Sequence, residues 1–84
     1  MPMYVLEHSH RPQECRAAFA AWHGFESPLR RQAASATCSV EAAGGSHRIW
    51  WRVEAADRAA ALTQLPPFVA ERTTIAEVKE VPIP

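Results

Sequence analysis

The sequence predicts a single α+β domain with the element order strand, helix, strand, strand, helix, strand. Three observations support this prediction. The chain has 84 residues, a length that suits one hydrophobic core, so we take residues 1–84 as one domain. Signals for a strand, a helix and a strand occupy residues 3–42 and recur over residues 46–81. Between the halves, Gly44-Gly45 suits a hairpin turn, because glycine adopts positive φ at no steric cost.

Residue type and spacing indicate the first strand and the first helix. Residues 3–9 contain strand-favouring aromatic and branched side chains and few residues that break a strand. Pro12 fits the first turn of a helix, where its missing N–H group would have no partner in any case. One apolar stripe follows at helical spacing: Cys15, Ala18, Phe19 and Trp22. Gly24 then suits the left-handed position that ends a helix.

The next segment is less regular, and the strand after it is short. Ser27-Pro28 favours either a turn or a new helical start. Thr37 and Val40 are the β-branched members of a second strand over residues 35–41. This strand leads directly into the glycine turn.

The third strand, residues 47–54, has the clearest strand pattern of the chain. Its side chains alternate between the two faces of a sheet. One face carries His47, Ile49, Trp51 and Val53. The other face carries Arg48, Trp50, Arg52 and Glu54.

A helix and a strand follow for the second time. Asp57 is a good N-cap for the helix, because its carboxylate can accept a hydrogen bond from the first turn. The Pro66-Pro67 pair ends this helix, since proline has no N–H group to continue the hydrogen bonds. Residues 68–72 then cross back, and residues 73–81 form the last strand.

This order of elements is the ferredoxin-like βαββαβ layout, with four antiparallel strands in the order 4-1-3-2 and both helices on one face. Four apolar residues are predicted to pack the helices on the sheet: Phe19, Trp22, Leu62 and Leu65. The other face is left open, although it carries Trp50 and apolar residues of the first strand. Because a bare apolar face of that size is unfavourable in water, we expect a homodimer, a dimeric α+β barrel in which two sheets meet and enclose a cavity.

Composition and charge exclude several classes of protein. Nine basic and nine acidic residues cancel, so the chain lacks the basic surface that nucleic-acid binding requires. No apolar run approaches the ~20 residues of a membrane span, and the N-terminus has no secretory signal pattern. Cys15 and Cys38 are too few for a disulfide framework. We therefore expect a soluble, cytoplasmic protein with free thiols.

In its overall layout, the chain resembles the small dimeric α+β-barrel proteins, a group that includes muconolactone isomerase-like proteins. The resemblance lies in the N-terminal strand and in three segments: Val53-Glu54-Ala55-Ala56-Asp57, Leu65-Pro66-Pro67-Phe68 and Val78-Lys79-Glu80-Val81. It spans nearly the whole chain and implies the fold and the dimer. The group contains isomerases, monooxygenases, haem-degrading enzymes and metal-binding proteins, and an isomerase's catalytic residues do not map onto this chain.

His8 and His10 are the first candidates for a functional site. On a strand, two residues at this spacing point to the same side and could share one metal ion. Cys15 and His23 could approach from the first helix and complete a site for nickel, copper or zinc. The same spacing also fits polar residues at the end of a strand, and we favour this second interpretation. We therefore expect no bound cofactor. The alternative is a transition metal ion bound by these residues.

A histidine of the first strand also suits acid–base chemistry, because its pKa lies near neutrality. If the first and third strands are neighbours, it could move a proton of a small substrate whose anionic group an arginine holds. The predicted catalytic residues are His8, His10 and Arg52, and the predicted substrate-binding residues are Trp50, Arg48 and Arg52. The alternative, which we favour, places Trp50 in the dimer interface and pairs the arginines with Glu7 and Glu54.

The sequence leaves three functions open. The leading one is small-molecule binding, or isomerase-like proton transfer, in the dimer cavity. The second is metal binding through the histidines, and the third is a non-catalytic accessory or interaction module whose cavity is packed. Cys15 and Cys38 are more simply explained as core residues, Cys15 because it belongs to the apolar stripe of the first helix.

Overall fold

A computed structural model describes residues 1–38 and 47–84 of the chain as an α+β fold built on one open antiparallel sheet. The strands are β1 (Met3–His10), β2 (Ser35–Cys38), β3 (His47–Glu54) and β4 (Thr73–Val78). They lie side by side in the order β2-β3-β1-β4, which is β4-β1-β3-β2 when read from the other edge. The pairing of β1 with β3 at the centre places the side chains of these two strands next to one another on both faces.

Short helices and 3-10 turns connect the strands. The α-helices are α1 (Cys15–Ala20), α2 (Arg58–Leu62) and α3 (Pro67–Ala70), and the 3-10 turns are Pro12–Glu14 and Pro28–Arg31. Asp57 is confirmed as the cap of α2, because its Oδ1 accepts a hydrogen bond of 2.8 Å from the N–H of Ala60. Gly24 has the predicted left-handed conformation, with a φ of 73°, but α1 already ends at Ala20, so Gly24 ends the turns after the helix and not the helix itself. Among the described residues, no helix has the length and apolar content needed to cross a bilayer.

The structure corrects the predicted course of the second half of the chain. The sequence predicts that residues 68–72 only cross back to the sheet, whereas α3 begins at Pro67. Proline fits there because the first N–H group of a helix has no intrahelical partner. The Pro66-Pro67 pair therefore ends one helix and starts the next.

The strands occur where the sequence predicts them, with differences at their ends. β3 has the predicted bounds, β1 extends one residue further than predicted, to His10, and β4 already ends at Val78. The predicted Gly44-Gly45 turn and the part of the second strand beyond Cys38 lie outside the described residues.

The alternation of β1 decides which of its side chains reach the core. Its buried side chains are Tyr4, Leu6, His8 and His10. The less buried ones, on the other face, are Met3, Val5, Glu7 and Ser9. On β3, Trp51 and Val53 are buried on the core face, as predicted. Both histidines of β1 therefore lie between the sheet and the helices.

The hydrophobic core fills the space between this face and the helices. It consists of Tyr4, Leu6, Leu29, Trp51, Val53, Ala55, Ala61, Leu65 and Val69. Trp22 packs against it, with its ring 5.9 Å from the ring of Trp51. Phe19, which the helical stripe places on the sheet, is instead 66% exposed. The buried residue of α1 is Ala18, so the helix directs Ala18 rather than Phe19 at the core.

Arg72 contacts residues at the start of α1 and in α3. Its Nε donates a hydrogen bond of 3.0 Å to Glu14 Oε2, and its guanidinium lies 3.6 Å from the centre of the Phe68 ring. Glu14 also accepts a hydrogen bond of 3.0 Å from the N–H of Arg11. The N–H of Arg11 and the guanidinium of Arg72 hold the pKa of Glu14 below its ordinary value. These contacts hold in place the segment that leads into Cys15.

Candidate metal centre

His10, Cys15 and His47 come together at one end of the two central strands. His10 is the last residue of β1 and pairs directly with His47, the first residue of β3. Side chains directly opposite each other in an antiparallel pair lie on the same face. After β1 the chain turns through Pro12–Glu14, which places Cys15, at the start of α1, beside the two imidazoles.

The donor atoms of these three side chains converge. Cys15 Sγ lies 2.8 Å from His47 Nδ1 and 3.4 Å from His10 Nε2. All three atoms lie within 4.8 Å of one another. His10 is buried, whereas Cys15 and His47 are half-buried. A thiol and two imidazoles in this arrangement form a group that could hold a metal ion.

His8 connects this group to the backbone of α3. Its Nε2 lies 2.8 Å from His10 Nδ1, and its Nδ1 lies 3.3 Å from the carbonyl oxygen of Val69. Thr73 Oγ1 lies 3.4 Å from the same Nδ1 and donates its own proton to the Val69 oxygen at 2.6 Å. Both neighbours of His8 Nδ1 can therefore only accept a hydrogen bond, so Nδ1 carries the proton of a neutral ring.

This arrangement also fixes the proton of His10. His8 Nε2 is the acceptor nitrogen of its ring, so His10 Nδ1 donates to it. His10 Nε2 then has no proton, and its lone pair is directed at Cys15. Burial, and then the neighbouring His47, lower the pKa of His10; burial is also the main cause that lowers the pKa of His8. Both shifts favour the neutral rings that this proton order requires.

The chemistry of the three donors fits a transition metal ion. Thiolate and imidazole ligands together suit zinc and copper. Metal bonds of about 2.3 Å to sulfur and 2.0–2.1 Å to nitrogen correspond to donor atoms about 3.5 Å apart in a tetrahedral site. The distance of 3.4 Å from Cys15 to His10 already matches this spacing. The contact of 2.8 Å from Cys15 to His47 would widen by less than about 1 Å around an ion.

The structure brings some of the predicted metal ligands together and separates others. His10 and Cys15 contact each other, and His8 stands behind His10 rather than at the thiol. His23 is exposed in the turns after α1 and is not a member of the group. Sequence reasoning missed His47, although it placed this residue on the core face of the third strand. The antiparallel register, in which a histidine that ends β1 meets a histidine that begins β3, is the signal that could have found it.

The predicted acid–base site does not assemble, because the sheet separates its members. His8 and His10 lie on the core face of β1. The residues predicted to bind substrate lie on the other face, where Arg48, Trp50 and Arg52 pair with Ser9, Glu7 and Val5. Side chains alternate along a strand, so a histidine of one face does not reach an arginine of the other. The expected ion pairing of Glu7 is also corrected: its Oε1 accepts a hydrogen bond of 2.8 Å from the Trp50 indole.

The two faces lead to separate pockets. A pocket of about 280 Å³ lies against the metal-binding group and is lined by His10, Cys15, Phe19, Ala36, Thr37, His47 and Ile49. A pocket of about 440 Å³ on the open face of the sheet includes Val5, Trp50 and Arg52 in its lining. A ligand of the metal centre and a ligand of the open face would therefore bind at different places.

No protein-family model, curated protein or solved structure matches the chain.

Proposed function

We propose that this protein binds one transition metal ion through His10 Nε2, Cys15 Sγ and His47 Nδ1. The series of contacts from the Val69 carbonyl through His8 to His10 and Cys15 is the observation that carries the proposal. Two successive hydrogen bonds, from His10 to His8 and from His8 to the backbone of α3, leave His10 Nε2 without a proton and directed at the thiol. Histidines that bind metals typically donate their other N–H to an acceptor in this way, which fixes the orientation of the ring.

The protons of the metal-free group also support metal binding. Cys15 has one thiol proton and two imidazole nitrogens beside it, at 2.8 Å and 3.4 Å. The thiol can donate to only one of them. A metal ion that replaces this proton would bind the thiolate and both nitrogens at once.

Zinc is the ion that we propose. Thiolate and imidazole are both among its preferred ligands, and sites with three protein ligands leave a fourth position open for water or another ligand. Copper accepts the same kinds of donor and generally binds more tightly. Metal analysis of the protein as purified from cells distinguishes the two ions, because the cellular supply as well as the affinity decides which one is bound.

Cobalt(II) provides the test of the site, because it replaces zinc and reports its ligands by its absorption spectrum. The protein, purified without a histidine tag and freed of metal, is expected to bind one equivalent of Co²⁺. The complex should show a thiolate-to-cobalt charge-transfer band and the d–d bands of a tetrahedral site. Zinc should displace the cobalt and abolish both sets of bands.

Matched variants identify the ligands. Cys15→Ser should remove the charge-transfer band, and His10→Gln and His47→Gln should weaken cobalt binding. His23→Gln, which removes an exposed histidine, is the control and should keep the band. Cys38→Ser removes the other cysteine, at a residue that pairs with His47, and should also keep the band if Cys15 is the thiolate ligand. Wild-type protein without the band, or a band that Cys38→Ser removes and Cys15→Ser leaves, would contradict the proposal.

We also propose, as a second candidate function, a small-molecule cavity on the open face of the sheet. In this proposal the chain has a ferredoxin-like fold, and two copies of it form a dimeric α+β barrel. The resemblance to muconolactone isomerase-like proteins implies both. The pocket that includes Val5, Trp50 and Arg52 supports it, and the half-buried Val5 and Trp50 give this face apolar surface for a second copy to cover. Arg48 and Arg52 would bind an anionic group there, without a histidine to move a proton.

Sedimentation velocity at micromolar concentration tests this second proposal. The wild-type protein should sediment as a dimer, and Trp50→Asp should dissociate it. Phe19→Asp is the matched control, because Phe19 is an exposed aromatic residue of α1 and lies away from the open face. A wild-type monomer would rule out the shared cavity, and if metal were also not bound, the accessory module would be the remaining function.

A further inference from the structure

The candidate metal centre opens on one side to a pocket of about 280 Å³. The three residues of the metal-binding group form one wall of this pocket. Among the residues of this lining that the structure describes, the others apart from Thr37 are apolar. These are Phe19, Ala36 and Ile49. Since a zinc site with three protein ligands keeps a fourth position open, a ligand in that position would lie in this apolar pocket.

The pocket continues into a groove that is mostly apolar, although Arg30 and Gln32 also line it. A second pocket, of about 350 Å³, shares three of its lining residues with the first, Phe19 among them, and extends to Trp22 and Trp51. Phe19 is 66% exposed although it is large and apolar, and its ring lies 6.4 Å from the ring of His10. This side chain contributes little to the core, whereas a ligand in the groove would cover it.

The charge of the loaded site selects the kind of donor that completes it. A divalent ion, one thiolate and two neutral imidazoles carry one net positive charge. A charge without a partner is unfavourable beside apolar surface. A donor with one negative charge would neutralise the site, whereas a neutral donor would leave the charge uncompensated.

We infer that the fourth position of the metal binds a small monoanion with an apolar body, its charged atom on the ion and its body along Phe19 in the groove. This inference rests on the proposed metal site. The two pockets are near the lower end of the volumes of about 300–1,000 Å³ that ligand sites commonly have. They suit a molecule of the size of a substituted benzene ring or a short aliphatic chain.

Benzoate, acetate and benzamide are the probes, and the d–d bands of the cobalt-loaded protein in chloride-free buffer are the readout. Benzoate has both the anionic donor and the apolar body, acetate lacks the body, and benzamide lacks the charge. Benzoate should shift the bands saturably, with a Kd about tenfold or more below that of acetate. Benzamide should cause no shift at the same concentrations.

Phe19→Ala is the test variant, because an exposed side chain can be removed without opening the core. It should raise the Kd of benzoate about fivefold and leave the Kd of acetate unchanged. Val81→Ala is the matched control. It also removes exposed apolar surface, at a residue 71% exposed and outside the pocket, and should change neither Kd.

The two proposals fail in different ways. A wild-type protein without the thiolate-to-cobalt band overturns both of them. A normal thiolate band combined with d–d bands that benzoate does not shift overturns the inference alone and leaves the metal site intact. The inference is also overturned if benzoate and acetate bind with equal Kd, or if Phe19→Ala binds benzoate as tightly as the wild type.

Discussion

Replacing His8 with phenylalanine is expected to weaken metal binding although it removes no metal ligand. In the folded chain His8 accepts a hydrogen bond of 2.8 Å from His10 and donates one of 3.3 Å to the Val69 carbonyl oxygen. Phenylalanine is an apolar ring that suits this fully buried position, but it accepts no such bond. His10 then loses the acceptor that holds its Nε2 towards Cys15.

The size of the effect follows from where the lost bond lies. Removing the outer partner of a ligating histidine typically lowers metal affinity about 10- to 100-fold. A buried donor left without an acceptor costs about 1–3 kcal/mol. Since about 1.4 kcal/mol corresponds to a factor of ten in affinity, this cost agrees with the expected 10- to 100-fold loss. The Val69 oxygen adds little to this cost, since Thr73 still donates to it at 2.6 Å. We therefore expect zinc affinity to fall about 10- to 100-fold in His8→Phe.

Competition for zinc against a chromophoric chelator measures this loss at a fixed pH. His8→Gln should restore much of the affinity, because its amide can accept from His10 and donate to Val69. Val53→Ala is the control for a general loss of stability. It removes buried apolar surface from the same face of the sheet, which lowers the free energy of unfolding by roughly 1.5 kcal/mol, and Val53 does not contact His10. The reasoning is refuted if His8→Phe binds zinc within about twofold of the wild type, or if Val53→Ala loses as much affinity.

Three further predictions concern the metal-free chain and its thiol. Burial lowers the pKa of His8 and of His10 below 6.5, so the folded state binds fewer protons than the unfolded state. In urea titrations the free energy of unfolding should therefore be highest above pH 6.5. It should fall as the pH drops from 6.5 towards the pKa values of the folded state. In the same assay Phe19→Ala should change the free energy by less than about 0.5 kcal/mol and Trp51→Ala should lower it by about 3–5 kcal/mol, because the two residues are 66% and 5% exposed. Zinc should slow the alkylation of Cys15 by iodoacetamide about tenfold or more, as followed by mass spectrometry.

Each of these measurements can also contradict the structure. A free energy of unfolding that stays constant between about pH 7 and pH 5 would mean that the histidines titrate alike in the folded and unfolded states. A large loss of stability in Phe19→Ala would place that ring in the core. Equal alkylation of Cys15 with and without zinc would exclude it as a ligand.

The sequence predicts β3 well because the information is local. Alternating apolar side chains on one face are visible within eight residues, and they identify Trp51 and Val53 as core residues. The burial of His8 is different, because it depends on the Val69 carbonyl, which lies 61 positions further along the chain. Nothing within the first strand shows that a polar ring will find this acceptor, so the strand pattern alone predicts the histidines in the open cavity.

The candidate metal centre shows the same division between local and long-range information. His10 and Cys15 are close in the chain, and their residue types alone make them candidates. His47 joins them only through the register of β1 against β3, which the sequence does not determine without knowledge of the pairing. The start of α3 is likewise ambiguous, since Pro66-Pro67 can end a helix or begin one and only the packing of Val69 against the sheet decides.

The separation of the metal-binding group along the chain has a consequence for folding. Cys15 and His47 are 32 positions apart, and an ion held by both closes a loop that contains β2. If the ion stays bound to both residues in the unfolded chain, as a covalent cross-link does, closing a loop of this length removes about 3–4 kcal/mol of conformational entropy from that chain. In a chain of 84 residues, which can bury only a small core, that contribution is a large part of the net stability. For the site proposed above, loss of the ion would lower the free energy of unfolding, so a larger fraction of the chain would be open to proteolysis in a cell that is short of the metal.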